Sequence, residues 1–235
     1  MVFAAILASG RGTRMGTDVP KQFLCIDGTP IVVKSLTAFL RSSLVDAAVI
    51  TVPAGYEAYM RGLLQTHLPE NRVPVLITDG GKTRSDSLLS ALLLLARTYG
   101  REGHIVLTHD AVRPFIDTRI IRENIDAARE FGAANTCVPA TDTVFLSPDG
   151  AFVWQTPPRE TVFHSQTPQT FRLDLLLDAI DSLPPGVFGT LTDGCSVLTT
   201  VGKPVRLVRG SPENIKITFP SDLKPFQGKE PSADA

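Results

Sequence analysis

The fold is indicated by three stretches near the start of the sequence: VFAAILA at residues 2–8, SGRGTRMG at residues 9–16 and PKQF at residues 20–23. The first is a continuous apolar run of the length found in buried strands of parallel sheets. The second is rich in glycine, which lets a backbone turn sharply and approach a phosphate closely. Three cations accompany the loop: Arg11, Arg14 and Lys21. Together these features predict a nucleotide site that binds a triphosphate.

The glycine spacing excludes the two common phosphate-binding motifs. A Walker loop ends in Gly-Lys followed by Ser or Thr, and that ending is absent here. Glycines at positions 10, 12 and 16 also do not fit the G-x-G-x-x-G pattern of dinucleotide-binding domains. The alternative is a strand-to-helix turn whose cations are merely solvated. The three cations and the Pro-Lys-Gln sequence favour the nucleotide site over that alternative.

The composition is that of a globular protein without a basic surface. Of the 235 residues, 43% are hydrophobic and 20% are charged, which is enough for one large core. The net charge of −1 gives no basic field to hold nucleic acid, so no nucleic-acid partner is expected. No apolar run approaches the roughly 20 residues of a membrane span, and the apolar start lacks a basic leader. We therefore expect a soluble, cytoplasmic protein with no membrane partner.

Apolar segments suited to strands alternate with segments of helical spacing, which predicts a mostly parallel sheet in a doubly wound, Rossmann-like α/β domain. The predicted strands cover residues 3–8, 46–52, 73–77, 104–108 and 135–139. The predicted helices cover residues 30–42, 55–66, 84–98, 118–131, 172–182 and 193–200. We expect one domain over residues 1–223 and a poorly ordered polar tail over residues 224–235.

Residues 141–167 interrupt this alternation. They contain TVFL at residues 143–146, the turn sequence SPDG at 147–150 and AFVW at 151–154. Two apolar runs around such a turn predict a β-hairpin. A hairpin inserted in a parallel domain projects from it, and its apolar side needs a partner. This favours an arm that forms a dimer; a flap over the protein's own sheet is the alternative.

Polar residues follow the predicted strands at the sheet edge where ligands bind in open α/β folds. DGGKTRSDS at residues 79–87 can contact a base or a phosphate, or can serve as an ordinary helix cap. Asp110 and Arg113 can hold a metal and a phosphate, or can simply pair with each other. Lys216 lies between two apolar residues in a strand-like setting, which is costly unless it meets an anion. The alternative is a lysine that extends into solvent from an edge strand.

These residues, in this order, resemble the cytidylyltransferase family that acts on 2-C-methyl-D-erythritol 4-phosphate or D-ribitol 5-phosphate. The markers are residues 7–16, 20–23, 79–81, 109–110, 113–114, 142–143, 166–169, 192–193 and 214–218, with Arg84, Ser87 and Arg159. The resemblance covers almost the whole chain. It implies the doubly wound α/β fold, and a hairpin arm that clasps a second subunit to form a homodimer.

The resemblance also implies a reaction. A phosphate monoester of a polyol attacks the α-phosphorus of CTP, which gives a CDP-alcohol and pyrophosphate, with magnesium as the cofactor. The protein contributes mainly positioning and neutralisation of charge. No general base is expected, because a phosphate monoester is already an anion near neutral pH.

Site residues follow from the resemblance position by position. The implied catalytic residues are Arg14, Lys21, Arg159 and Lys216. The implied CTP-binding residues are Ala8, Ser9, Gly10, Gly12, Thr13, Arg14, Lys21, Asp79, Gly80, Gly81 and Ser87. The implied polyol-phosphate residues are Asp110, Arg113, Thr143, Arg159, Thr167 and Lys216, and Asp110 is the candidate magnesium ligand. Thr143 and Arg159 would reach the phosphate from the arm of the partner subunit.

Within the family the sequence is more similar to the ribitol branch, which supplies CDP-ribitol for teichoic acid or a related polymer. The similarity lies in THDAVRPFI at residues 108–116, QTPQTFR at 166–172 and TDGC at 192–195. Gly194 departs from the pattern, because the family is expected to have alanine there. The alternatives are an erythritol-branch enzyme of isoprenoid synthesis and a nucleotide-binding regulator without turnover.

Overall fold

The protein is built around a seven-stranded sheet. The structure is a computed structural model that describes residues 1–10 and 19–226. The strands are β1 (Val2–Leu7), β2 (Cys25–Ile26), β3 (Thr29–Pro30), β4 (Ala47–Val52), β5 (Val75–Asp79), β6 (Ile105–Asp110), β7 (Ala133–Pro139), β8 (Phe163–Arg172) and β9 (Arg206–Arg209). The helices are α1 (Ile31–Arg41), α2 (Glu57–His67), α3 (Arg84–Tyr99), α4 (Thr118–Phe131), α5 (Leu173–Ser182) and α6 (Gly194–Thr200). The strand order in the large sheet is β5-β4-β1-β6-β8-β7-β9, and β2 pairs with β3 separately.

Strand β1 lies at the centre of the parallel part of the sheet, between β4 and β6. Its side chains alternate between two cores. Ala4 and Ile6 pack with helices α1, α2 and α4 on one face, while Phe3 and Ala5 pack with α3, α5 and α6 on the other. Because both faces are covered, the strand is apolar at every position. The predicted doubly wound α/β fold is confirmed.

Two strands of the sheet were not predicted. Strand β8 runs antiparallel to both β6 and β7, and β9 is parallel to β7. The sequence pattern concealed β8 because its buried positions carry Gln166, Thr167, Gln169 and Thr170 rather than apolar side chains. These polar groups are paired inside the protein, so a search for apolar runs does not find the strand.

The segment between β7 and β8, residues 141–162, is called the arm below. The chain does reverse there, with Leu146 N–H donating to Gln155 O at 2.8 Å and Trp154 N–H donating to Leu146 O at 2.9 Å. Leu146 and Gln155 form a single antiparallel bridge. The predicted pair of regular strands over residues 143–146 and 151–154 is therefore not formed in this chain.

The end of the described chain is ordered further than predicted. Residues Pro220–Phe226 form a 3₁₀ helix. Phe226 stacks on Phe115 with 4.7 Å between the ring centroids. The tail predicted from residue 224 therefore does not include residues 224–226, and residues 227–235 lie outside the described part. Among the described residues, none of the helices is both long and apolar enough to cross a bilayer.

Candidate active site

A large cavity opens at the carboxyl edge of the parallel strands, with a volume of about 1190 Å³. It lies beside the ends of β1, β4, β5 and β6, the edge that open α/β sheets use for ligands. Predicted site residues that line it are Ala8, Ser9, Gly10, Lys21, Gly80, Gly81, Ser87, Asp110 and Lys216. Asp79 ends β5 and is exposed, and it is not among the lining residues. The predictions for Gly12, Thr13 and Arg14 lie outside the described residues.

One end of the cavity is formed by close contacts between the β1 loop and the start of α3. The Ser9 and Ser87 hydroxyl oxygens are 2.6 Å apart, and Gly81 N–H donates to Ser87 Oγ at 3.2 Å. A Cβ atom at Gly80 would overlap the Ser9 side chain, so only glycine fits there. This end offers hydroxyls and backbone groups, which suits a base and a ribose, and Lys82 of the same turn also lines the cavity.

Helix α3 begins with a capping box. Asp86 N–H donates to Thr83 Oγ1 and Thr83 N–H donates to Asp86 Oδ2, both at 3.0 Å. The helix-cap alternative for residues 79–87 is thus correct for Thr83 and Asp86. It does not compete with a ligand site, because Gly80, Gly81 and Ser87 of the same turn line the cavity.

Lys21 is held at the cavity wall by the short 3₁₀ helix Lys21–Phe23. Its side chain is buried, and Nζ donates to Ile217 O at 3.0 Å. Next to it, Gln22 Nε2 donates to Ala8 O at 2.6 Å. Phe23 packs on the rings of Tyr56 and Tyr59. No role was predicted for Gln22, which ties the Lys21 segment to the end of β1.

The other end of the cavity is charged and is centred on Asp110. Arg84 Nη2 lies 3.2 Å from Asp110 Oδ1, and Lys216 Nζ lies 2.8 Å from Asp110 Oδ2. Burial alone would raise the pKa of Asp110, but the charges of Arg84 and Lys216 outweigh it and hold the pKa well below its usual range. Asp110 is therefore an anion at neutral pH, and it aligns two cations toward the cavity.

Arg84 was recognised as a family marker but was given no role from the sequence. A signal was present, because a cation in the first turn of a helix opposes the helix dipole. Arg84 begins α3, and its Nη1 also donates to Thr192 O at 3.2 Å. It thereby links the start of α3 to Asp110 and to the segment before α6.

The described residues do not fit a magnesium site built from protein side chains. Both Asp110 oxygens are already engaged by Arg84 and Lys216. In the part of the chain that the structure describes, no three His, Cys, Asp or Glu side chains are grouped as metal ligands would be. The geometry thus does not support Asp110 as a direct metal ligand.

Lys216 lies in an irregular segment after β9, so its predicted strand-like setting is wrong. Its two neighbours in the sequence differ in burial: Ile215 is exposed and Ile217 is fully buried. The Lys216 side chain keeps 41% of its surface exposed, at the cavity. The anion that the sequence argument required is Asp110 in this structure.

Arg113 and Thr167 lie next to Asp110, in the buried layer that includes His109. Arg113 N–H donates to Asp110 O at 3.0 Å, and Asp110 N–H donates to Thr167 Oγ1 at 3.2 Å. His109 Nε2 lies 2.9 Å from Arg113 O, and Nδ1 lies 3.0 Å from Thr167 Oγ1. Because a carbonyl only accepts, Nε2 carries the proton and Nδ1 accepts from Thr167.

Burial lowers the pKa of His109 from 6.5 to about 4, so the imidazole is neutral at physiological pH. Its second nitrogen fixes the direction of the Thr167 hydroxyl hydrogen. His109 therefore orients its neighbours and faces no reacting group.

Thr143 and Arg159 lie in the arm, away from the cavity. Arg159 Nη2 donates to Thr143 Oγ1 at 3.3 Å, and both residues are exposed. Neither lines the cavity of its own chain. The structure thus brings the two residues together but does not bring them to the other site residues.

Comparison with known proteins points in the same direction as this geometry. A family model, IspD: 2-C-methyl-D-erythritol 4-phosphate cytidylyltransferase, matches residues 2–227. The ribitol-5-phosphate cytidylyltransferase of Lactiplantibacillus plantarum is 38% identical over 226 residues, which cover 95% of this chain and 96% of that protein.

Solved structures with the same fold come from the same family. The 4-diphosphocytidyl-2C-methyl-D-erythritol synthase of Anaerococcus prevotii is 26% identical, with a TM-score of 0.78 over 94% of both chains. The 2-C-methyl-D-erythritol 4-phosphate cytidylyltransferase of Francisella tularensis is 27% identical, with a TM-score of 0.77 over 94% of this chain and 96% of that one.

Proposed function

The chain belongs to the IspD family of cytidylyltransferases, and we propose that it transfers CMP from CTP to D-ribitol 5-phosphate, giving CDP-ribitol and pyrophosphate. The observation that carries the choice of acceptor is the 38% identity, over nearly its full length, to a ribitol-5-phosphate cytidylyltransferase. CDP-ribitol is an activated form of ribitol phosphate, suited to building a polymer such as teichoic acid.

The end of the cavity at Ser9 and Ser87 is proposed to bind the nucleoside. Ser9, Gly80, Gly81 and Ser87 offer hydroxyl and backbone groups that can form hydrogen bonds with a base and a ribose. The triphosphate would then extend toward Lys21, whose ammonium group stands at the cavity wall. Arg14 belongs to the same proposal from sequence alone.

The charged end is proposed to bind the polyol phosphate, because two cations, Lys216 and Arg84, contact the Asp110 carboxylate there. Arg113 is buried next to Asp110 and is not among the residues that line the cavity. An incoming phosphate can share the Lys216 ammonium, while Asp110 can accept hydrogen bonds from polyol hydroxyls. A carboxylate that stays ionised suits the second task.

The reaction needs placement of two anions rather than a proton acceptor. An oxygen of the polyol phosphate attacks the α-phosphorus, the bond from that phosphorus to the bridging oxygen breaks, and the electron pair leaves with pyrophosphate. Lys216 would offset charge on the attacking phosphate and on the α-phosphoryl oxygens, and Lys21 would offset charge on the leaving group. Both reacting anions repel each other in water, so fixed cations on both sides lower the barrier.

Magnesium remains a proposal from the resemblance. Since Asp110 is paired with two cations, a metal ion would be held chiefly by the CTP phosphates, as magnesium often is at nucleotide sites. No step described above depends on it.

The arm supports a proposed homodimer in which each active site is completed by its partner. Arg159 and Thr143 lie outside the cavity of their own chain, and the arm exposes Phe145, Phe152, Val153 and Trp154. Such a group of exposed apolar side chains marks a protein contact. Docking the arm on a second subunit would bury them and would deliver Arg159 to the other subunit's phosphate.

The test is pyrophosphate release from CTP with magnesium, using ribitol 5-phosphate and methylerythritol 4-phosphate as parallel acceptors. We expect a preference for ribitol 5-phosphate of at least about 100-fold in kcat/KM. The wrong acceptor has hydroxyls in other positions, so polar groups of the site would be buried without a hydrogen-bond partner. Preference for methylerythritol 4-phosphate, the acceptor named for the relatives in the solved structures, would retain the reaction and overturn the acceptor. Absence of release with both would overturn the proposed function.

A further inference from the structure

Three of the residues that the resemblance implies for the polyol phosphate come from separate parts of the chain. Arg113 follows β6, Thr167 lies in β8, and Lys216 lies in the segment after β9. Their relative placement must be set by contacts between these segments. One residue that has no role so far contacts Arg113 and Thr167 and lies in the same segment as Lys216.

That residue is Asn214, whose side chain is fully buried. Asn214 Nδ2 donates to Thr167 O at 2.8 Å, and Asn214 O accepts from Arg113 Nη1 at 2.7 Å. Lys216 is two residues further along the same segment. A single residue therefore joins the backbone that carries Thr167, the guanidinium of Arg113 and the segment that carries Lys216.

Gln166 closes this arrangement from the other side. Gln166 Nε2 donates to Ser211 O at 2.8 Å, and Gln166 Oε1 accepts from Asn214 Nδ2 at 3.3 Å. A Cβ atom at Gly210 would overlap the Gln166 amide oxygen, so the segment passes directly against this side chain. Gln166 and Asn214 together bind residues 210–214 to β8.

Side-chain bonds matter here because residues 210–218 form no helix or strand. Thr167 lies in β8 between the paired residues Ser165 and Gln169, at a shift in the β7–β8 register, and its carbonyl accepts from Asn214 Nδ2. Lys216 depends on how its irregular segment is held. Beyond Lys216 the segment is held again, since Ile217 N–H donates to Val112 O at 2.9 Å. Asn214 supplies the corresponding attachment before Lys216.

We propose that Asn214 is a positioning residue that sets the geometry of the polyol-phosphate end of the site. This inference rests on the proposed function and goes beyond it, because Asn214 touches neither reactant. Its side chain acts through the backbone of Thr167 and through the segment that carries Lys216, while its main-chain carbonyl accepts from Arg113. The nucleoside end, at Ser9, Gly80 and Ser87, shares no hydrogen bond with it. Loss of the Asn214 side chain should therefore lower kcat/KM for the polyol phosphate and leave the binding of CTP nearly unchanged.

The test compares Asn214→Ala and Asn214→Asp with the wild type. The aspartate keeps the shape of the side chain but removes both donated hydrogen bonds. For each variant, kcat/KM is measured for ribitol 5-phosphate at saturating CTP, and the dissociation constant of CTP is measured without acceptor. We expect kcat/KM for ribitol 5-phosphate to fall about 100-fold in both variants, because misplacement of a binding group by about 1 Å costs that much. The dissociation constant of CTP should change by less than about 3-fold.

Asn124→Ala is the matched control, because Asn124 is equally buried and donates two hydrogen bonds, at 2.9 Å each, to Ile120 O and Thr136 Oγ1. It should lower thermal stability and leave kcat/KM for ribitol 5-phosphate within about 3-fold of the wild type. If Asn214→Ala weakens both substrates equally, or behaves like Asn124→Ala, the inference is wrong.

If the Asn214 variants do not fold, Gln166→Ala provides the test, since it loosens the same segment from β8. We expect about a 10-fold rise in the KM for ribitol 5-phosphate and no change for CTP. An unchanged KM for ribitol 5-phosphate overturns the inference. A wild-type protein that releases no pyrophosphate overturns the proposed function and this inference together, whereas an active wild type with unaffected variants overturns the inference alone.

Discussion

The cavity and the arm differ in whether their side chains have partners within the chain. Around the cavity, the buried carboxylate of Asp110 has Arg84 and Lys216 as partners, and His109 is bonded through both ring nitrogens. In the arm, Phe152 and Trp154 are 76% and 80% exposed. The contrast indicates that one chain can hold the charged centre alone, while the arm is built to contact something else.

The largest loss of activity is expected when a cation of the charged end of the cavity is removed. Lys216→Ala should lower kcat/KM about 1000-fold, because the lost charge opposes the transition state most strongly. Folding should be nearly unaffected, because the lysine is partly exposed and Asp110 keeps Arg84 as a partner. Steady-state pyrophosphate release and thermal unfolding measure the two effects.

Lys34→Ala is a matched control, since Lys34 forms an ion pair with Asp27 at 3.2 Å elsewhere on the protein. It should leave kcat/KM unchanged. Near-normal turnover by Lys216→Ala would remove Lys216 from the mechanism.

The second prediction links the two regions. Arg159→Ala should lower kcat/KM about 100-fold in the proposed dimer, since a guanidinium that contacts the phosphate is lost. Co-refolding Arg159→Ala with Lys216→Ala should recover about one quarter of wild-type activity. Half of the dimers would be mixed, and each mixed dimer would have one intact site. The measurement is activity against the mixing ratio of the two variants.

Activity of the mixture that stays at the average of the two parents would show that Arg159 does not act across subunits. A mixture of Lys216→Ala with wild type is the control: every arm in it carries Arg159, so its activity should stay at the average of the two parents.

The third prediction concerns the apolar part of the arm. The double substitution Phe152→Ser and Trp154→Ser should weaken dimerisation at least about 10-fold, because exposed aromatic rings that become buried at an interface contribute strongly to affinity. Light scattering after size exclusion, over a dilution series, gives the dissociation constant. Phe131→Ser removes an exposed ring outside the arm and should leave that constant unchanged. Equal constants for both variants would contradict a dimer through the arm.

The smallest expected effect concerns pH and the buried layer behind the cavity. The unfolded chain binds a proton at His109 below about pH 6.5, whereas the folded protein does so only near pH 4. The free energy of unfolding should therefore fall as pH decreases from 6.5 to 4, by up to about 3 kcal/mol. The pKa of Asp110 is depressed, so its stabilising contribution is lost only at still lower pH.

Chemical denaturation at pH 7, 5.5 and 4.5 measures this slope. His109→Gln should flatten it, and the exposed His164→Gln should not. An unchanged slope in His109→Gln would assign the pH dependence to other groups.

Much of the parallel fold was predictable because its signals are local. Strand β1 is a continuous apolar run, β4 is apolar except for Thr51, and β6 begins with three apolar residues; α3 begins at the capping sequence around Thr83. Apolar runs identify a strand where both faces of the sheet are covered, because its side chains on both faces are then buried. Strand β8 escaped prediction because its buried positions are polar and paired through the tertiary structure.

The site divides in the same way. The sequence predicted which residue types gather at the sheet edge, since strand ends and glycine loops are visible in one dimension. It did not predict that Lys216 would lie in an irregular segment, or that Gln22, Arg84 and Asn214 would hold the site together.

The sequence by itself determined the α/β fold, the family, and most of the groups that line the cavity, because apolar periodicity and motif spacing are properties of neighbouring residues. Only the tertiary structure decided which charges meet. Asp110 and Lys216 are far apart along the chain, yet lie 2.8 Å from each other in the structure. Such pairing depends on how strands are ordered and loops are held, which no local pattern encodes. The tertiary structure also placed Arg159 outside its own cavity, and so raised the question of a second subunit.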